Sequence, residues 1–142
     1  MDDPRWTELD HDECRRLLQQ QRIGRVAVVA DGAPLVLPVT FVLDDDDVVF
    51  RTSVGNALDA ALDDSPAAFE VDGIDEPSRT GWSVLVQGRA RYVTGAAELS
   101  RVDRLGLVPW APGDRPRFVR IAADRTTGRR IGVPPLPSNY WG

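Results

Sequence analysis

The segment Val48-Val49-Phe50-Arg51-Thr52-Ser53-Val54-Gly55-Asn56-Ala57-Leu58-Asp59-Ala60-Ala61-Leu62 holds the residues best suited to chemistry. An apolar run ends in Arg51, Thr52 and Ser53, turns at Gly55 and Asn56, and continues as a short amphipathic helical pattern. A guanidinium recognises phosphate through planar, bidentate hydrogen bonds. Hydroxyls add donors, and the first turn of a helix leaves N–H groups without intrahelical partners. Together these groups describe a cradle for a phosphate. The same residues equally describe an edge strand turning into a solvated helix, with Thr52 or Ser53 as an ordinary cap. The local sequence does not choose between the two.

Composition narrows the chemistry. All 17 basic residues among the 142 are arginine. Without lysine there is no Schiff-base enzyme, no pyridoxal-phosphate aldimine and no Walker-type phosphate loop. Any phosphate must be held by arginine, hydroxyls and backbone. His11 and Cys14 are the single histidine and cysteine, too few for a His/Cys metal site. No intrachain disulfide can form, which fits a reducing cytoplasm. His11 sits in a polar stretch with no serine-triad context, and Cys14 has no activating neighbour, so a buried structural thiol is expected. A net charge of −5 argues against a nucleic-acid or anionic-membrane surface. The acidic start lacks the apolar core of a signal peptide. The longest apolar stretch, 35–43, is broken by Pro38 and Thr40 and is far too short for a membrane span. A soluble, cytoplasmic protein is the expectation.

The elements that must position Arg51 follow from pattern. Acids precede bases over 10–21, as a helix dipole favours. The β-branched run 23–30, the Asp31-Gly32 turn signal and the run 35–43 read as a hairpin. Leu35, Leu37, Val39, Phe41 and Leu43 share one face of that second strand, and Val36, Pro38, Thr40 and Val42 the other. A strand apolar on both faces implies a barrel wall covered outside by a helix or a second subunit, and Pro38 implies an edge or a bulge. Asp44 to Asp47 read as a solvated turn, without the spacing of a calcium loop. Strands are expected at 66–72 and 81–93, with a polar loop between them, then a helix over 96–105 and a last strand over 116–123. Along 81–93, Trp82, Val84, Val86, Gly88, Ala90 and Tyr92 line one face and Ser83, Leu85, Gln87, Arg89 and Arg91 the other. Gly88 suits a sharp barrel bend. The stretch from Arg129 is proline-rich and ends in Tyr140-Trp141, so it reads as extended rather than helical or sheet-forming. The expected organisation is one domain over 1–132, a mainly β, small antiparallel barrel of about six strands with inserted helices, followed by an extended tail over 133–142.

Several blocks stand in a telling order: Gly24-Arg25-Val26, Leu37-Pro38-Val39, Phe50-Arg51-Thr52, Leu58-Asp59-Ala60, Thr80-Gly81-Trp82-Ser83-Val84, Gly88-Arg89-Ala90 and Pro109-Trp110-Ala111-Pro112-Gly113. The chain thereby resembles the pyridoxamine 5′-phosphate oxidase-like family of FMN-binding split barrels, in its short actinobacterial form. The resemblance implies a homodimer with FMN in two clefts at the subunit interface. It implies that Arg51, Thr52 and Ser53 hold the phosphate, that Val39 and Thr40 lie along the isoalloxazine, and that Trp82 and Gln87 approach from the interface side. One departure stands out: relatives carry a lysine where this chain has Ala57. A charged hydrogen bond contributes about 1.5–3 kcal/mol, so the lost ammonium removes roughly one to two decades of affinity. Asn56 offers a side-chain amide in partial replacement.

Two functions follow as expectations. One is an FMN-dependent oxidoreductase acting on a small molecule, with the flavin doing the redox chemistry and no catalytic acid or base singled out. The other is a non-enzymatic flavin, deazaflavin or haem binding or sensor module with a weakened phosphate site. Deazaflavin would need a basic groove, for which Arg89 and Arg91 are the visible pair, unless they are simply solvated or ion-paired. Haem would look to His11.

Overall fold

The computed structural model describes residues 6–52, 57–107 and 117–132. Its elements in chain order are β1 (Trp6–Glu8), α1 (His11–Gln19), β2 (Ile23–Ala30), β3 (Ala33–Asp44), β4 (Asp47–Thr52), α2 (Ala57–Ala61), β5 (Ser65–Asp75), β6 (Thr80–Tyr92), α3 (Ala96–Asp103), β7 (Arg117–Ile121) and β8 (Arg125–Ile131). The strands run in the order β1-β8-β6-β5-β2-β3-β4-β7, and a further β6–β7 pairing closes six of them, β6-β5-β2-β3-β4-β7, into an antiparallel barrel. The expected barrel is therefore present. The tail over 133–142 and the Pro109–Gly113 block lie outside the described residues.

Closure depends on how β6 divides its partners. Residues 81–87 pair with β8, residues 90–92 pair with β7, and β5 runs along the other edge. The change of partner falls at Gly88. A Cβ there would lie 1.7 Å from the Ala122 carbonyl oxygen, in the corner between β7 and β8. The adjacent Ala122 N–H donates to the Arg89 carbonyl at 3.0 Å and pins that corner. The interior alternation forecast for β6 holds, with Val84, Val86, Ala90 and Tyr92 buried. Inside, they meet Val26, Phe41, Phe50, Phe69, Val119 and Ile121, and the Phe41 and Phe69 rings pack edge to face at 4.6 Å.

Two strands escape the sequence pattern. β8, Arg-Thr-Thr-Gly-Arg-Arg-Ile, has no apolar alternation, and its last three residues read as the start of the tail. Pairing to β6 and β1 makes it a strand, while Cys14 of α1 packs against Gly128 on its inner side. β1 is a three-residue strand held only by β8. β5 also runs on to Asp75, through part of the expected loop, because Gly73, Ile74 and Asp75 complete its ladder with β6.

The run Asp44–Asp47 corrects another expectation. Only Asp45 and Asp46 make the turn, Asp45 with φ 54°, whereas Asp44 and Asp47 pair as the last rung of the hairpin. Asp44 is buried and its carboxylate accepts from Arg101 Nη2 at 2.7 Å and from Arg120 Nη2 at 2.5 Å. Arg120 also reaches Asp47, and Arg91 reaches Glu98 at 2.8 Å. This network fixes α3 over the outer wall of β4 and β7, where Val42, Val49, Val93, Val102 and Phe118 form a second, smaller core.

α3 thus covers one half of β3's outer face. The other half stays open, with Val36 56% and, beside it on β2, Val29 65% exposed. Pro38 lies in the part of β3 beyond the β4 ladder, an edge stretch where its missing N–H has no rung to break. The Asp31-Gly32 turn has both residues at positive φ, 51° and 77°, as a two-residue hairpin of this kind requires.

Two outcomes are expected. Gly88→Ala should lower urea-unfolding stability by about 1–3 kcal/mol, the usual cost of overpacking, whereas Gly132→Ala, where a Cβ meets only Thr80 at an ordinary 3.7 Å, should stay within about 0.5 kcal/mol. Hydrogen bonds from Arg101, with Arg120 and despite burial, hold the Asp44 carboxyl below its ordinary value of 3.8. A depressed carboxylate stabilises the fold fully above that value, and the contribution is lost as pH falls through the folded-state value. Asp44→Asn should therefore be clearly less stable than the parent at pH 7, with the gap narrowing as unfolding is measured at pH values below about 3.8.

Candidate functional site

β4 presents Val48 and Phe50 to the barrel interior and Val49 to the outer core under α3. Arg51, two residues after Val49, shares its outer face. Its guanidinium carbon lies 5.2 Å from the centre of the Phe118 ring, the residue opposite it on β7. Its Nε is buried and has no hydrogen-bond partner. Many of its fellows are ion-paired. Arg25, Arg89, Arg91, Arg101, Arg117, Arg120 and Arg130 each face a carboxylate, and among the described residues Arg51 faces none. A buried donor left unpaired costs about 1–3 kcal/mol. An anion accepting from Arg51 removes that cost. Thr40 belongs to the same outer surface, since Thr40 and Arg51 come one step past Phe41↔Phe50, the last of the β3–β4 pairs on that side.

The other site residues distribute less simply. Thr52 is buried, follows Phe50 on the inward parity, and pairs with Arg117. Val39 packs against the barrel core, so its side chain does not line the outer wall. Trp82 and Gln87, both expected at the interface side, keep the opposite faces of β6 that its alternation predicts. Five positions apart on a period of two, they project to opposite faces. Trp82 packs on the core with its indole against Gly73, and Gln87 is exposed on the outside. Ser53 and Asn56 lie outside the described residues. α2 has only five residues, so little macrodipole accumulates along it, and the anion reading rests on Arg51 rather than on a helix terminus.

A second polar group, without any signal in the local sequence, gathers at the same end of the barrel. Tyr92 of β6 places its hydroxyl 2.6 Å from the Asp59 carbonyl oxygen and donates to the Asp59 carboxylate. Arg117 of β7 stacks on the Tyr92 ring, 3.4 Å from its centre, and reaches Asp59 Oδ1 at 3.3 Å. Burial, with the Asp59 carboxylate, pushes the Tyr92 phenol above its ordinary value, so it remains protonated and donating. These contacts join residues far apart in sequence, which no spacing rule detects.

The remaining reactive side chains are occupied. Cys14 is buried and its thiol is pushed up by that burial. His11 lies 3.2 Å from Asp46, at the opposite end of β4 from Arg51. Arg89 and Arg91 pair with Asp64 and Glu98 rather than lying open as a basic groove. Among the described residues no three His, Cys, Asp or Glu side chains gather as metal ligands, and no helix is long and apolar enough to cross a membrane.

The sequence pattern of the family described as pyridoxamine 5′-phosphate oxidase matches residues 10–130. The chain belongs to that family. A relative from Mycobacterium tuberculosis, itself uncharacterised, is 36% identical over 129 residues, 87% of this chain and 84% of its own length. Among solved structures, an FAD-binding protein from Mycobacterium smegmatis superimposes with a TM-score of 0.81 at 35% identity, covering 89% of this chain and 99% of that one. A candidate pyridoxamine 5′-phosphate oxidase from Corynebacterium glutamicum does so with a TM-score of 0.80 at 31% identity, covering 94% and 97%. The family's barrel is the one described above, and Arg51 stands on its outer wall.

Proposed function

We propose that this chain binds a flavin, FMN, and serves as an oxidoreductase acting on a small molecule. The observation that carries the proposal is the Arg51 guanidinium, with a buried unpartnered Nε and no carboxylate among the described residues. The chemistry of that donor fits a flavin phosphate. The FAD-binding relative at 35% identity supports a flavin in general. Bound flavin supplies the redox chemistry. The chain's own residues bind and orient: Arg51 takes the phosphate, and Thr40 borders the same surface.

The proposal includes a homodimer with the cofactor at its interface. The open outer wall of β2, β3 and β5 supports it. Val29 and Val36 stay exposed there, beside Ala27, Ala68 and Pro38. Contiguous exposed apolar surface of this kind marks an association site. A second copy presents the same face, as a two-fold interface requires.

A second reading, flavin binding without turnover, has one feature in its favour. The family resemblance implies a lysine at the position of Ala57, and a methyl side chain there offers no donor to a phosphate. Haem and deazaflavin gain no such support, since His11 pairs with Asp46 and Arg89 and Arg91 are ion-paired.

The purified protein should retain FMN through desalting, read as bound-flavin absorbance. Arg51→Ala should weaken FMN by roughly ten- to a hundredfold, and Ala57→Lys should tighten it by a similar factor. Oxidation of a reduced nicotinamide by the loaded protein separates an oxidoreductase from a carrier, and a colourless protein that holds no added flavin overturns both. Sedimentation should give a dimer, and Val36→Asp should shift it to monomer; a parent protein that sediments as a monomer overturns the interface.

A further inference from the structure

At the end of the barrel where β4 stops, three elements meet through their side chains. Tyr92, 8% exposed, comes from β6, Asp59 from α2 and Arg117 from β7. The Tyr92 hydroxyl bonds to Asp59 through both its carbonyl and its carboxylate, the Arg117 guanidinium lies flat on the Tyr92 ring, and the same guanidinium reaches the Asp59 carboxylate. Each member contacts the other two, and a hydrogen-bonded network of this kind holds the elements that carry it together.

The register gives this cluster its consequence. Arg117 pairs with Thr52 and its successor Phe118 pairs with Arg51. Arg117 therefore meets the chain on both sides of residues 53–56, by ladder at Thr52 and by ion pair at Asp59. Consecutive strand residues face opposite ways, so one short stretch of β7 carries the clamp on its inner side and the Phe118 ring beneath Arg51 on its outer side. Locking Arg117 inside fixes the platform outside.

We propose that Tyr92, Asp59 and Arg117 are positioning residues for the Arg51 anion site, holding β7 and the end of β4 so that Arg51 meets the cofactor phosphate in a preset geometry. The inference rests on the reading that Arg51 receives a phosphate. It concerns a different set of residues, which act on one end of the cofactor only. Supporting residues that preset a charged donor raise affinity by reducing what must be ordered on binding.

The test compares FMN with riboflavin, the same ring system without the phosphate, on the full chain. Dissociation constants are measured for the parent, Tyr92→Phe and Asp59→Asn, together with the melting temperature of each apoprotein. Both variants should weaken FMN by about tenfold and leave riboflavin within about twofold, so that the FMN preference collapses. A merely structural cluster would lower the melting temperature and weaken both flavins alike, or neither; either result, in a parent that prefers FMN, overturns the clamp and leaves the Arg51 site standing. A parent that binds FMN no more tightly than riboflavin overturns the anion site and the clamp together. Tyr92→Phe removes a single hydroxyl, so it carries the test even where Asp59→Asn fails to fold.

Discussion

Strand β6 has more hydrogen-bonding length than any one neighbour on its second edge can use, and it divides that edge between β8 and β7. The division is possible because the chain at Gly88 offers no side chain to the Ala122 carbonyl. From that close approach the rest of the geometry follows. β7 turns in to close the barrel with β4, β8 turns away to receive β1 and to floor α1, and the outer surface is cut into unequal parts. One part lies under α3, and one is left bare along β2, β3 and β5.

Arginine, used without lysine, serves two ends in this architecture. As a structural cation its planar fork spans more than one carboxylate, and Arg120 reaching both Asp44 and Asp47 is the clearest case. That arrangement lets a charged network be buried between α3 and the barrel wall, because each carboxylate has its own donor. As a binding group the same fork needs free donors, and Arg51 keeps a buried Nε without a hydrogen-bond partner. What marks Arg51 is therefore its pairing state, which no residue count reveals. The family match and the FAD-binding relative give that unpaired cation a chemical context.

The position of Arg51 also shows how a surface site depends on an interior it does not touch. Its platform, Phe118, is one residue from Arg117, and Arg117 is committed to Tyr92 and Asp59 across the barrel end. A sheet transmits position through its backbone, from one face to the other, over a single residue. Residues with opposite facing are in this sense close mechanical neighbours.

Much was legible in the chain itself. The period-two alternation along 81–92 located the long strand and its inward face, Asp31-Gly32 located a hairpin, Asp10 and the acids after it located the first helix, and ordered blocks around Phe50-Arg51-Thr52 pointed to the family. These are local signals, set by backbone sterics and by which side of an element meets water. β8, the burial of Asp44 and the Tyr92–Asp59–Arg117 cluster were decided only by tertiary structure. Each depends on a partner tens of residues away, and a strand without apolar alternation or a carboxylate without a nearby base acquires its role from that partner. Local pattern alone shows most of the elements and sets Arg51 near the end of one of them; the closed barrel decides which face Arg51 occupies and that no carboxylate among the described residues meets it there, because pairing register and charge compensation exist only once distant strands are brought together.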